Sequence, residues 1–170
     1  SVSSTLPRTQ STHRPLFSGL GRSFTTALAG VAASLMLLGA GAAHAQQYVS
    51  IKGSSVNVRE TPSTRSDTLW ELSNGYPLRV TQRKGKWLKV RDYEESLGWV
   101  YAPLTAKAPH MVVTARTANL RAGPGQRHKV VGKLQQHEVV RTLKKSGTWA
   151  HVQREGGQKG WVARSLAWGW

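Results

Sequence analysis

From Tyr48 onward, apolar and polar residues alternate in runs of four or five, each cut short by a turn-forming cluster. Val56-Asn57-Val58-Arg59 and Ala118-Asn119-Leu120-Arg121 have the period of two expected of a strand with one inward face. Each runs into a breaker, Glu60-Thr61-Pro62-Ser63 or Ala122-Gly123-Pro124-Gly125. Tyr48–Ile51 and Met111–Thr114 are apolar, β-prone openings. The pattern predicts further strands over Thr68–Leu72 and Val130–Leu134, and over Leu78–Gln82 and Val139–Leu143. It predicts two more pairs over Trp87–Arg91 and Trp149–Gln153, then over Leu97–Tyr101 and Lys159–Ala163. Turns at Lys84-Gly85 and Ser146-Gly147 and hairpin loops at Asp92–Ser96 and Arg154–Gln158 separate them. A tight turn precedes Leu104 and Leu166. No helix-length window here carries an apolar period near 3.6.

The strands come in pairs because the segment occurs twice. Shifting residues 48–106 by 62 positions, without a gap, brings 13 identities into register over 59 positions. They are Asn57, Arg59, Pro62, Arg65, Leu72, Arg79, Gly85, Trp87, Val90, Gly98, Trp99, Val100 and Leu104, matched by Asn119 through Leu166. Chance pairing of average compositions gives roughly one match in seventeen, so a fixed period of this quality marks a duplicated folding unit. Five or six short strands in such a unit point to a small, strongly bent barrel. The expected fold class is therefore all-β, with barrels over residues 46–106 and 107–170 and Ala106-Lys107-Ala108-Pro109 as linker.

Residues 1–45 read differently. Arg8, Arg14 and Arg22 occur without an acid, Ala27–Leu38 is an apolar run, and Ala43-His44-Ala45 ends it with small residues. This is the pattern of a cleavable secretory signal peptide, with the cut expected between Ala45 and Gln46. The run falls short of the roughly 20 residues needed to span a bilayer, so no transmembrane segment is expected in the mature chain. No Cys follows it to take a lipid, and the mature protein is expected in the periplasm or outside the cell.

Charge then separates the two units. Residues 46–106 hold nine Lys/Arg against six Asp/Glu (+3), whereas 107–170 hold twelve against two (+10). The asymmetry suggests that the second unit meets an anionic surface, and Lys144 and Lys145 are its natural contacts; equally, a strong positive charge keeps a small exported domain soluble. With no Cys there are no disulfides, so units of about 60 residues must rely on large side chains, and seven Trp suit that need.

Three motifs in each unit resemble the bacterial Src-homology-3-like domain (SH3b). Asn119-Leu120-Arg121-Ala122-Gly123-Pro124-Gly125, Gly147-Thr148-Trp149-Ala150-His151-Val152 and Gly160-Trp161-Val162 follow in order. The first unit departs from the opening motif, with Glu60-Thr61-Pro62-Ser63 in place of the glycines. The resemblance implies two tandem SH3-like barrels of a kind found in exported envelope proteins, where they bind cell wall or mediate protein contacts. Papain-like peptidases often carry such modules.

The residue inventory argues against such an enzyme. Without Cys there is no thiol nucleophile. Asp67 and Asp92 lie in the first unit, all four mature His in the second, and none shows zinc-ligand spacing. Glu94-Glu95 reads as a solvated loop pair, so no catalytic residue, metal or cofactor is expected.

Binding is expected at aromatics. Alternation places Leu88 and Val90 inward and Trp87, Lys89 and Arg91 outward; Trp149 and His151 oppose Ala150 and Val152, and Trp99 and Tyr101 oppose Val100. Each unit should display a cross-strand Trp pair, Trp87 with Trp99 and Trp149 with Trp161, that either stacks on a ligand or simply covers the sheet. Tyr93 sits in a hairpin loop, and Trp168-Gly169-Trp170 forms an unusual tail suited to docking back, to a partner or to membrane. The expected function is a monomeric, non-enzymatic envelope module recognising peptidoglycan peptide or glycan, without specific nucleic-acid binding. The alternative is an interaction module for an envelope protein, its basic second unit adhering non-specifically to anionic polymers.

Overall fold

The computed structural model describes residues 46–170; the leader expected over residues 1–45 lies outside the described residues. The first unit runs β1 (Tyr48–Ile51), β2 (Val56–Arg59), β3 (Thr68–Leu72), β4 (Pro77–Lys84), β5 (Trp87–Arg91) and β6 (Leu97–Tyr101). A 3₁₀ turn, Ala102–Leu104, and a two-residue β7 (Thr105–Ala106) close it. The second unit repeats the order as β8 (His110–Val113), β9 (Thr117–Arg121), β10 (Val130–Gln135), β11 (Val139–Ser146), β12 (Trp149–Gln153) and β13 (Lys159–Ala163). A 3₁₀ turn at Arg164–Leu166 and β14 (Ala167–Gly169) finish it.

Each unit is one antiparallel sheet, ordered β3-β2-β6-β5-β4-β1-β7 and β10-β9-β13-β12-β11-β8-β14. Leu72 on one edge strand and Ile51 near the other share a core, so the sheet curls over itself into a barrel. Bulges assist the bend: register shifts between Val80 and Gln82 in β4, and between Thr142 and Lys144 in β11.

The cores are the same nine positions displaced by 62. Val49, Ile51, Val56, Val58, Leu72, Leu78, Leu88, Val90 and Val100 correspond one for one to Met111, Val113, Ala118, Leu120, Leu134, Val140, Ala150, Val152 and Val162. Ala118 and Ala150 replace the larger Val56 and Leu88, while Met111 and Leu120 replace the smaller Val49 and Val58. Val113 and Val140 are also smaller than Ile51 and Leu78, so volume lost at four positions is partly restored at two others, as close-packed interiors require. Burying each Val or Leu contributes about 1.5–3 kcal/mol, which lets so small a core hold without disulfides.

Three differences from the sequence expectations have a common cause. Ala106 belongs to β7 rather than to a linker, pairing with Ser50. The tail forms β14 against β8, with Trp168 opposite Val112. β4 and β11 extend to Lys84 and Ser146. These stretches are either too short to show a period or lie beyond the core, where no inward alternation is imposed.

The barrels touch through side chains that differ between the units. Trp168 meets the ring of Tyr48 edge-on at 5.3 Å, and Trp170 stacks on it at 5.4 Å. The Tyr93 hydroxyl lies 2.7 Å from Nε2 of His137. His137 has φ of +68°, at the position where the first unit places Gly75 at +79°. A left-handed non-glycine residue costs about 1–2 kcal/mol, and the bond to Tyr93 offsets part of it. Gly75 itself must lack a side chain, since a Cβ there would lie 2.8 Å from the ring of His110.

Candidate functional site

Strand alternation sets the outer faces as expected: Leu88, Val90, Ala150 and Val152 are buried, and Trp87, Trp99, Trp149 and Trp161 are half-buried. The expected Trp–Trp cross-strand pairs do not form. In the β5–β6 hairpin Trp87 faces Tyr101, and Lys89 faces Trp99. The loop at 92–96 sets the register so that Trp99 falls two residues away from Trp87's partner. Trp87 and Tyr101 lie 5.4 Å apart at 55°, and Trp99 sits between Lys89 on β5 and Arg59 on β2. In the second barrel Trp161 stacks on His151 at 4.8 Å and 17°, with Arg121 on its other side. Trp149 lies between Ser146 on β11 and Ala163 on β13, and neither is aromatic.

That last pairing leaves a hollow. Thr117, Asn119, Arg121, Gln126, Trp149, Ala163 and Leu166 line a cavity of about 250 Å³ on the second barrel. Arg121 shapes its rim, because Nη1 donates to the carbonyls of Gln126 at 3.0 Å and His128 at 3.1 Å, drawing the β9–β10 loop in. Arg59 does the same in the first barrel, bonding the Ser66 carbonyl at 2.8 Å. The recurrence of this Arg in both units is thus explained by a loop clamp. The sequence shows only that the Arg recurs, just before each Pro-containing loop; its bonds to that loop appear once the chain is folded.

A larger cleft of about 840 Å³ lies between the barrels, with Ser54, Ser73 and Asn74 on one side and His110, His137, Glu138, Arg141 and Arg154 among the residues opposite. Two of its charges, Arg154 and Glu138, engage each other. Arg154 grips Glu138 with Nε donating to Oε1 at 2.6 Å and Nη2 to Oε2 at 3.2 Å, and Nη1 donates to Gln158. Burial, then the carboxylate of Asp92, pushes the Tyr76 phenol well above its ordinary range. Tyr93 is pushed up by burial and then by Glu94.

The remaining expected contacts are dispersed. Lys144 lies opposite His151, beside the Trp161 stack, and Lys145 lies opposite Ala150. Desolvation, then the charge of Arg164, lowers the Lys145 ammonium. Trp168 and Trp170 lie together on Tyr48. Tyr48 and His137 were not singled out from sequence, because contacts between separate barrels leave no periodic trace. Among the described residues, no group of three His, Cys, Asp or Glu side chains is placed to hold a metal ion.

Both barrels carry recognisable relatives. Residues 52–107 and residues 116–167 match two family models that share the description bacterial SH3 domain. The chain belongs to the bacterial SH3 domain family and carries two such domains in tandem. It is 31% identical over 66 residues to YrvJ of Bacillus subtilis (strain 168), a protein named as an N-acetylmuramoyl-L-alanine amidase. That match covers 39% of this chain and 13% of YrvJ, so the chain spans only a small part of this relative's length. Among solved structures, an NlpC/P60 family protein from Bacillus cereus ATCC 10987 is 17% identical, with 73% of this chain and 56% of that one covered at a TM-score of 0.35. The structure titled Endolysin LysPBC5 CBD is 16% identical, covering 73% and 93% of the two chains at 0.30. Likenesses this loose carry no functional argument.

Proposed function

We propose that this protein is an exported, non-enzymatic module that binds cell-wall polymer through the outer faces of its SH3 domains. The observation that carries the reading is the match of both repeats to the bacterial SH3 domain family. The relative named for an amidase of the N-acetylmuramoyl-L-alanine linkage, a bond of the wall, points the same way. Half-exposed Trp flanked by Lys89, Arg59, His151 and Arg121 suits a polymer with ring faces, amides and acidic groups. Among the described residues no helix is long and apolar enough to cross a membrane.

Co-sedimentation of the purified protein with isolated wall sacculi tests the proposal. Protein that pellets with sacculi at low and moderate salt supports it; protein that stays in the supernatant at both contradicts it. The alternative, an envelope-protein partner, draws on the divergence of the units and on the Trp tail. Trp168 and Trp170 are already engaged with Tyr48, and Tyr93 with His137, so the residues that favour that alternative have a use within the molecule.

A further inference from the structure

The two copies of the outer face differ at one wall of the hollow beside Trp149. The seven residues lining the hollow beside Trp149 have exact-shift counterparts in the first barrel: Ser55, Asn57, Arg59, Thr64, Trp87, Tyr101 and Leu104. Asn, Arg, Trp and Leu are kept, and Ser/Thr and Thr/Gln are polar exchanges; only Tyr101 against Ala163 changes bulk greatly. Tyr101 places its ring 5.4 Å from Trp87, on the side where Ala163 leaves Trp149 uncovered. The first barrel therefore carries the same hollow filled by its own side chain. A second difference acts at the rim. Ser55 is tied to the Glu71 carboxylate at 2.9 Å, whereas the position matching Glu71 is Lys133, on β10 across from Asn119. No acid stands there to engage Thr117, and a cation replaces it.

We infer that the hollow of the second barrel is a saccharide subsite that takes one ring of the wall glycan. This rests on the wall-binding proposal and names where that binding occurs. The exposed face of Trp149 receives the apolar C–H face of the ring, and Asn119, Thr117 and Gln126 hydrogen-bond its hydroxyl or amide substituents. The free donors of Arg121, with Lys133 on the neighbouring strand, favour an acidic substituent on that glycan. A volume of about 250 Å³ suits one ring and its substituents rather than a folded partner. The first barrel, closed by Tyr101, does not take a ring in this way, so one such subsite per chain is expected beside the broader Trp faces.

Calorimetric titration of the purified chain with an N-acetylglucosamine tetramer tests this, with a sugar-free stem peptide of the wall as the parallel probe. One site per chain is expected for the tetramer. Ala163→Tyr, which copies the residue the first barrel uses, should weaken it at least tenfold with an unchanged circular dichroism spectrum. Should that variant misfold, Asn119→Ala with Gln126→Ala, at exposed positions, reads the same loss. Tyr101→Ala should open a second site. Wild-type affinity in Ala163→Tyr or in the double variant overturns the inference, as does binding of the stem peptide in preference to the tetramer. Sedimentation separates this failure from that of the wall proposal. If wild type and Ala163→Tyr pellet equally with sacculi, only the subsite is wrong; if wild type does not pellet, the wall reading itself falls.

Discussion

Single side chains recurring at the 62-residue spacing can build the barrel and still leave groups free to bind. Arg59 and Arg121 do so, because each spends one guanidinium nitrogen on the loop that follows. A hydrogen bond from a charged donor contributes about 1.5–3 kcal/mol, less where water competes. Arg59→Ala is therefore expected to lower unfolding free energy by about 1–2 kcal/mol in a urea titration, and an unchanged midpoint would contradict the clamp. Gly160 is also structural: a Cβ there would lie 2.5 Å from Leu120 Cγ and 3.0 Å from the Arg121 carbonyl oxygen. Gly160→Ala should cost about 1–3 kcal/mol through overpacking. Tyr76 adds a dependence on pH. Its folded value is raised, so the unfolded chain ionises first; the contribution is full below the ordinary tyrosine value of about 10 and is lost as pH climbs above it. Urea midpoints at pH 8 and pH 11 should fall less in Tyr76→Phe than in wild type, and an equal fall would refute the assignment.

At the level of elements, what was legible from sequence is what the core dictates. Six strands per unit could be placed because inward residues such as Val56, Val58, Leu88 and Val90 alternate with outward ones, and the duplication supplied a second reading of each. β7 and β14 escaped because two or three residues show no period; they are held instead by hydrogen bonds to β1 and β8. The outer Trp residues were legible as outward, but their partners were not. Hairpin register depends on loop geometry, and a shift of two residues exchanges Trp99 for Tyr101 opposite Trp87. The hollow beside Trp149 follows from that register and so was invisible until the strands were paired. Contacts between the barrels were equally hidden, resting on single positions such as Tyr48, Tyr93 and His137. Aromatic pairs contribute about 0.5–1.5 kcal/mol each beyond area. Trp168→Ala with Trp170→Ala should therefore split the thermal unfolding of the two barrels into separate transitions, and a single sharp transition in that variant would argue against coupling through Tyr48.

For the whole molecule, two copies of one fold carry unequal charge: a nearly balanced first unit at +3 and a second unit at +10. Charge would bring the second unit to the surface, and this part of the attraction should fade as the screening length falls from about 10 Å at 0.1 M to about 3 Å at 1 M salt. Ring stacking and short hydrogen bonds around Trp149 should persist. The most direct measurement is sedimentation with purified sacculi at 0.1 M and 1 M salt, assaying protein in the pellet and wall fragments in the supernatant. The proposed function predicts that protein pellets at 0.1 M, that a reduced but measurable fraction pellets at 1 M, and that no fragments are released at either salt. Protein left in the supernatant at both salts, or release of soluble wall fragments, would contradict it.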